Sequence, residues 1–305
     1  MNEQQRAPVA VFAYNRDEHL QRTLSALAKN LHAAETDVFL FVDGPKNEYD
    51  RLKQVGIFRF SEGGIAKSFK SIRVIASSTN KGLARSIIEG VTGMLREHET
   101  VIVLEDDLVT SPFFLRFMNE GLLRYWNEER VVSIHGFVHP LPDAMTQSFF
   151  LRGADCWGWA TWRRGWALFE PDGSRLLQEL DRGGEVRRFD FEGKVKYRQM
   201  LKDQISGKNN SWAIRWYASA FLKNKLTLYP PVSLVENIGL DGSGTHCEST
   251  FDYGVALASG PVVDFPGKIE ESPGGYRAYC KFHESIRPTF LQRLFARIRR
   301  LRGRL

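Results

Sequence analysis

Through the first 135 residues, short apolar runs alternate with stretches of helical period, and this alternation constrains the fold more than any other feature. PVAVFAY (8–14), VFLFV (38–42), IRVI (72–75), VIVL (101–104) and VVSI (131–134) read as short strands, most of them covered on both faces. Between them, residues 17–30 set Leu20, Leu24, Leu27 and Leu31 at helical spacing, and 82–97 is helical again. Ser111-Pro112 reads as the cap and first position of a further helix. Strands alternating with helices predict an α/β fold, a mixed and mostly parallel sheet flanked by helices. Such sheets bind ligands at the carboxyl ends of their strands. Asn15-Arg16, Asp43 and Glu105-Asp106-Asp107 follow the first, second and fourth runs, so three strand ends carry polar groups toward one crevice.

Composition removes several classes. With 43% hydrophobic and 26% charged residues in 305, the chain is neither disordered nor collagen-like. No apolar run approaches the ~18–20 residues that cross a bilayer, and Asn15 and Arg16 cut the run after Pro8 too early for a secretory leader. Cys156, Cys247 and Cys280 are odd in number and far apart, which argues against a disulfide scaffold or zinc ribbon and for a reducing, cytoplasmic setting. The net charge is +6, and Arg293, Arg297, Arg299, Arg300, Arg302 and Arg304 supply six positive charges with no acid after Phe290. Six minus six leaves a formally neutral body, so the basic character belongs to a tail and no nucleic-acid surface is expected.

Glu105-Asp106-Asp107 is the sharpest chemical signal. Three acids directly after a buried strand repel one another in a partly dry crevice. A hard divalent cation, Mn²⁺ or Mg²⁺, relieves that repulsion, because it takes one or two carboxylates and completes its shell with water and phosphate oxygens. An ordinary polar turn is the competing reading.

The order of features narrows the choice. VFAYNRDEHLQRTL, FVDGPKN, STNKGLARSIIEG and VIVLEDDLVTSPFFLRF together resemble the nucleotide-sugar-binding half of GT-A fold glycosyltransferases, especially those similar to N-acetylglucosaminyltransferase I, with bacterial family 2-like transferases as wider kin. GADCWGWATWRRGWALFEPDG resembles the family's acceptor-side glycine-tryptophan segment, and GLDGSGTHC its mobile loop over the diphosphate. The resemblance implies a Rossmann-like nucleotide-sugar half at about 8–135 and an acceptor-side half at about 149–260. Both lie within one domain (1–289), followed by a basic tail (290–305).

Residue by residue, the resemblance implies that Asp107 coordinates the metal, that Glu105 and Asp106 lie against the nucleoside, and that Asp43 bonds the base edge with Arg16 beside the nucleotide. Asn80, Lys81 and Arg85 flank a helix start where backbone donors and cations suit a phosphate; a solvated helix face is the alternative for Lys81 and Arg85. Ser243 and His246 belong to the closing loop. The reaction implied is transfer of a sugar from a nucleotide diphosphate donor, UDP favoured, to a hydroxyl of a glycan or glycolipid acceptor, as in cell-surface polysaccharide or lipopolysaccharide synthesis.

One departure from the family stands out. Inverting relatives carry a W-D-D-W segment with the general base, whereas this chain reads Ser211-Trp212-Ala213-Ile214-Arg215-Trp216, without a carboxylate. Displacement at an anomeric carbon needs a base near the attacking hydroxyl. Asp155 is the candidate, with a helix N-cap as its competing role, and Glu236 and Asp241 follow; the stereochemical outcome stays open.

Ser211 is expected to cap a helix at 212–224, and 182–208 to be charged surface helix. Trp159, Trp162 and Trp166 recur at helical spacing, a core pattern, and one of Trp157, Trp159 and Trp212 is expected to line the acceptor cleft. In 290–305, Phe290, Leu291, Leu294, Phe295, Ile298 and Leu301 fall on one helical face with arginines on the rest. That pattern suits an anionic membrane surface and predicts peripheral association. Two rival classes remain: another Mg²⁺-dependent nucleotide enzyme such as a nucleotidyltransferase, and a non-catalytic nucleotide-sugar- or glycan-binding module on a membrane.

Overall fold

The computed structural model describes residues 6–242 and 252–287. Its elements run β1 (Val9–Ala13), α1 (Asp17–Leu27), β2 (Asp37–Val42), α2 (Glu48–Ser61), β3 (Ser71–Ala76), α3 (Leu83–Glu97), β4 (Thr100–Glu105), β5 (Leu108–Thr110), α4 (Phe114–Arg124) and β6 (Val131–His135). Then follow β7 (Phe149–Arg152), β8 (Trp159–Trp162), α5 (Arg163–Trp166), α6 (Gly173–Gly183), α7 (Val186–Phe189), α8 (Tyr197–Ile205), α9 (Trp212–Leu222), β9 (Leu226–Tyr229), β10 (Val235–Asn237) and α10 (Pro273–Ser285).

Eight strands form one sheet in the order β3-β2-β1-β4-β8-β6-β9-β7. β3, β2, β1 and β4 are mutually parallel, as are β6 and β9. β8 lies antiparallel between β4 and β6, and β7 antiparallel to β9. The fold is therefore α/β with a mixed, mostly parallel sheet, as the alternation predicts. Because β8 reverses between them, β4 and β6 point the same way. One edge of the sheet thus collects the carboxyl ends of β1, β2, β4 and β6 and the amino end of β8.

Residue parity sorts the core. Along β1, Val9, Val11 and Ala13 join Ile102 and Leu104 in the layer under α1 and α4, while Ala10 and Phe12 join Val101 and Val103 in the layer that includes residues of α3 and α9. Successive strand side chains face opposite sides, so a run buried on both faces must be apolar throughout. Each fully buried Val or Leu contributes about 1.5–3 kcal/mol relative to exposure.

Several local expectations change. Trp159 and Trp162 lie on strand β8, not on a helix; a spacing of three puts them on opposite faces, Trp159 in one core layer and Trp162 in the other. Trp159 packs at 5.5–5.9 Å from Trp166, Trp212 and Trp216, so the tryptophan cluster is core. α1 ends at Leu27, and Leu31 is exposed. Asn30 ends that helix usefully: its amide donates to Thr110 Oγ1 and its carbonyl oxygen accepts from Leu115 N.

Ser111 precedes α4 by more than the expected one position: it is buried, its N–H meets Leu234 O and its hydroxyl donates to Ala258 O, while its Oγ accepts from Phe113 N at 3.3 Å and α4 starts only at Phe114. Within 182–208 only α7, α8 and the end of α6 are helical, and Phe189 and Leu201 are buried. Ser211 does cap α9, accepting from Ile214 N. Ser243, His246, Cys247 and the tail 290–305 lie outside the described residues.

Candidate active site

The acids stand where β4 ends. Arg16, at the amino end of α1, reaches across with one guanidinium nitrogen that donates to both Asp106 and Asp107, the latter at 2.8 Å. Thr23 of the same helix donates to Asp106 O at 2.8 Å, so α1 grips the acid turn at two points. From the opposite side, Ile238 N donates to Asp107 O at 2.9 Å. A Cβ on Gly239 would fall 2.1 Å from Asp107 Oδ2 and 2.9 Å from Arg16 Nη1, so only glycine lets this backbone lie over the pair.

Fully ionised, three carboxylates against one guanidinium would carry two negatives (three minus one). Burial, then Asp107 and Asp106, push the Glu105 carboxyl above the usual carboxylate range. Burial likewise raises Asp106, opposed by Arg16. Burial works against the charge on Arg16, but the two aspartates outweigh it and hold the guanidinium charged. The crevice is short of positive charge.

Among the described residues no group of three His, Cys, Asp or Glu forms a metal cage. The donor set does fit the open kind of Mn²⁺ or Mg²⁺ site, in which one or two hard carboxylate oxygens suffice and phosphate and water fill the rest. Arg16 engages one oxygen of each aspartate, Oδ1 of Asp106 and Oδ2 of Asp107, and so leaves each a second oxygen.

Asp43 sits in a second cluster. Its Oδ1 accepts from Gly44 N (2.9 Å) and Lys81 N (2.8 Å), and its Oδ2 from Gly82 N (2.8 Å) and Asn80 Nδ2 (3.1 Å). The carboxylate thus staples the end of β2 to the turn before α3, filling its roughly four acceptor positions. Asn80 also donates to Gly44 O at 2.8 Å. The side chains of Lys81 and Arg85 both pair with Glu89 on the α3 face, at 2.9 and 2.5 Å.

Asp155 lies in the β7–β8 loop. Its Oδ1 accepts from Cys156 N at 2.9 Å, and the element that follows is a strand, which removes the helix-cap alternative. The Cys156 thiol is pushed up by burial and by Asp155, Glu105 and Asp107. In the first turn of α9, Arg215 donates to Ser211 O and Pro171 O, and no carboxylate replaces it there. Glu236 is on β10, and Asp241 meets His19 Nε2 at 3.1 Å. Of the three tryptophans among which one is expected to line the cleft, Trp159 and Trp212 are buried and Trp157 is half-buried.

Two contributors escape the sequence reading. His135 ends β6, fully buried; its Nε2 accepts from Trp157 N at 3.0 Å, so the proton sits on Nδ1, and burial lowers its pKa. It braces the turn that carries Asp155. The strand-end reasoning applied to β1, β2 and β4 would have found it on β6. Asp50, on α2, is the other: it accepts from Tyr14 Oη, Asn15 Nδ2 (2.7 Å) and Lys46 N (3.1 Å), fixing the backbone that leads to Arg16.

No protein-family model and no curated protein matches the sequence. Among solved structures, the chain is similar to the mannosyltransferase PcManGT from Pyrobaculum calidifontis, in complex with GDP-Man and Mn²⁺. The identity is 13%, over 44% of this chain and 36% of that one, with a TM-score of 0.33. It is also similar to S. aureus TarS 1–349 (14% identity, 53% and 48% covered, TM-score 0.34) and to that protein in complex with UDP (18%, 49% and 40%, 0.31). The chain spans less than half the length of each, and likenesses of this size leave the function to the geometry of the site.

Proposed function

We infer that the chain is a metal-dependent glycosyltransferase that moves a sugar from a nucleotide diphosphate donor to a hydroxyl acceptor. The observation that carries this reading is the acid turn after β4, gripped by Arg16 and left short of positive charge at the ligand-binding edge of a parallel sheet. Arg16 would lie beside the nucleotide. Asp107 would hold Mn²⁺ or Mg²⁺, and such an ion supplies positive charge against the leaving diphosphate.

Glu105, Asp106 and the Asp43–Asn80 staple would frame the nucleoside, UDP being favoured, and Ser243 and His246 would close over the donor. Across the crevice, Asp155 would take the acceptor proton as the hydroxyl oxygen bonds to the anomeric carbon and the bond from that carbon to the diphosphate breaks. Trp157 would offer an aromatic face to the acceptor, a glycan or glycolipid of cell-surface polysaccharide or lipopolysaccharide synthesis. The tail 290–305 would hold the protein peripherally on the anionic cytoplasmic face of a membrane.

One observation favours a second reading. The segment Ser211–Trp216, the place where the resemblance puts the general base, holds no carboxylate, which suits a non-catalytic nucleotide-sugar-binding module. Product analysis tests both. Incubation with nucleotide sugars and mixed glycan acceptors should release nucleoside diphosphate. Release of pyrophosphate from nucleoside triphosphates would indicate nucleotidyl transfer instead, and donor binding without turnover would leave the binding module.

A further inference from the structure

We propose that a cleft at the opposite, amino edge of the sheet is a carbohydrate subsite that holds a distal sugar of an oligomeric acceptor. The cleft, of about 280 Å³, is lined by Glu99, Trp126, Asn127, Glu129, Trp162 and Arg164. These residues precede β4 and β6 or end and follow β8, so none belongs to the acid crevice. That a glycan should be its ligand rests on the glycosyl-transfer reading; the residues and the test are separate from it.

Arg164 sets the chemistry. Its Nη1 donates to Val131 O and its Nη2 to Tyr125 O, both at 2.8 Å, and its Nε to Trp126 O at 3.3 Å. The guanidinium lies 4.4 Å from the Trp162 ring centroid. Three of its five N–H groups are thus used on carbonyls, and among the described residues it forms no ion pair with a carboxylate. Burial lowers its pKa. A guanidinium held rigidly against an indole, with N–H groups to spare, is a preorganised donor.

The remaining walls decide what it donates to. Glu99 is paired with Arg163 at 2.5 Å, which leaves Glu129 and Arg164 as charges of opposite sign. An anion would meet Glu129, and a cation would meet Arg164. A neutral polyhydroxyl ring avoids both conflicts: its hydroxyls accept from Arg164 and Asn127 and donate to Asn127 and Glu129, and its C–H face packs on the half-buried Trp126. The volume suits about one sugar ring rather than a drug-sized ligand. β4 has six residues, so the two edges stand about 20 Å apart at ~3.3 Å per residue. Only an acceptor several sugars long reaches both.

Calorimetric titration of the full chain with chitotetraose, maltotetraose and mannotetraose tests the assignment. At least one should bind, Trp126→Ala should weaken it at least tenfold, and Asp107→Ala should leave it unchanged. The exposed pair Asn127→Ala/Glu129→Ala should weaken it as well and guards against a folding defect in Trp126→Ala. The proposal is overturned if none of the three binds, if binding survives both cleft variants, or if Asp107→Ala abolishes it. Titration with UDP and GDP separates the two readings: diphosphate binding without glycan binding removes only the subsite, whereas glycan binding without diphosphate binding removes the transferase.

Discussion

Replacing Asp43 by alanine separates bracing from recognition. The carboxylate is buried and takes four donors from two loops, three of them backbone N–H groups. Hydrogen bonds to a charged group contribute about 1.5–3 kcal/mol each, and a buried donor left without a partner costs about 1–3 kcal/mol. Gly44 is itself buried, whereas Asn80 and Lys81 are partly exposed, so water can replace part of the loss. The expected cost is therefore about 3 kcal/mol, well below the sum of four bonds. For 305 residues, at about 2.1 cal/mol/K of unfolding entropy per residue, that is about 5 °C in melting temperature. Urea denaturation and thermal melts measure it, alongside titration with UDP and GDP. A loss below about 0.5 kcal/mol, within the range of an ordinary surface substitution, together with abolished nucleotide binding, would refute the staple and make Asp43 a free base contact.

Three further outcomes follow from the same geometry. Gly239→Ala forces a Cβ against Asp107, so it should cost about 1–3 kcal/mol of local strain and weaken metal-dependent diphosphate binding at least tenfold by calorimetry. His135→Phe strands the Trp157 N–H and should slow transfer at least tenfold, while His135→Gln, which keeps an acceptor there, should recover most of the rate in an initial-rate assay of nucleoside diphosphate release. His283, pushed down to about 4 mainly by burial, binds its proton more readily unfolded than folded. Its contribution to stability is therefore present above about pH 6.5 and lost as pH falls toward 4, by about 3 kcal/mol at 1.36 kcal/mol per unit. Urea denaturation at pH 7 and pH 4.5 should show His283→Phe closing part of that gap.

The alternating half of the fold was legible because strands buried on both faces must be apolar throughout, which leaves little room for another reading of VAVFA or TVIVLE. α2 was not legible because its pattern is inverted: Tyr49, Leu52 and Val55 are exposed, while Asp50 and Gln54 are buried to hold Tyr14 and Asp43 backbone and side-chain groups. A helix that buries polar groups for the sake of a neighbouring loop carries no apolar stripe. β8 misled for a different reason, since a spacing of three between tryptophans serves a helix face and two opposite strand faces equally well. In the site, Arg16 and the three acids share a strand edge and their meeting could be foreseen. The saturation of Asp43 could not, because its partners are backbone groups some 40 residues away, at Lys81 and Gly82.

The central claim is that the acid turn after β4 receives a diphosphate together with a divalent cation. Calorimetry of UDP, GDP, CMP and dTDP binding, with and without Mn²⁺, to the wild-type chain and to Asp107→Ala tests it directly. One nucleoside diphosphate should bind with Mn²⁺, bind at least tenfold more weakly without it, and lose the metal dependence in Asp107→Ala. Binding that ignores Mn²⁺, or that survives Asp107→Ala with the metal effect intact, would contradict the assignment.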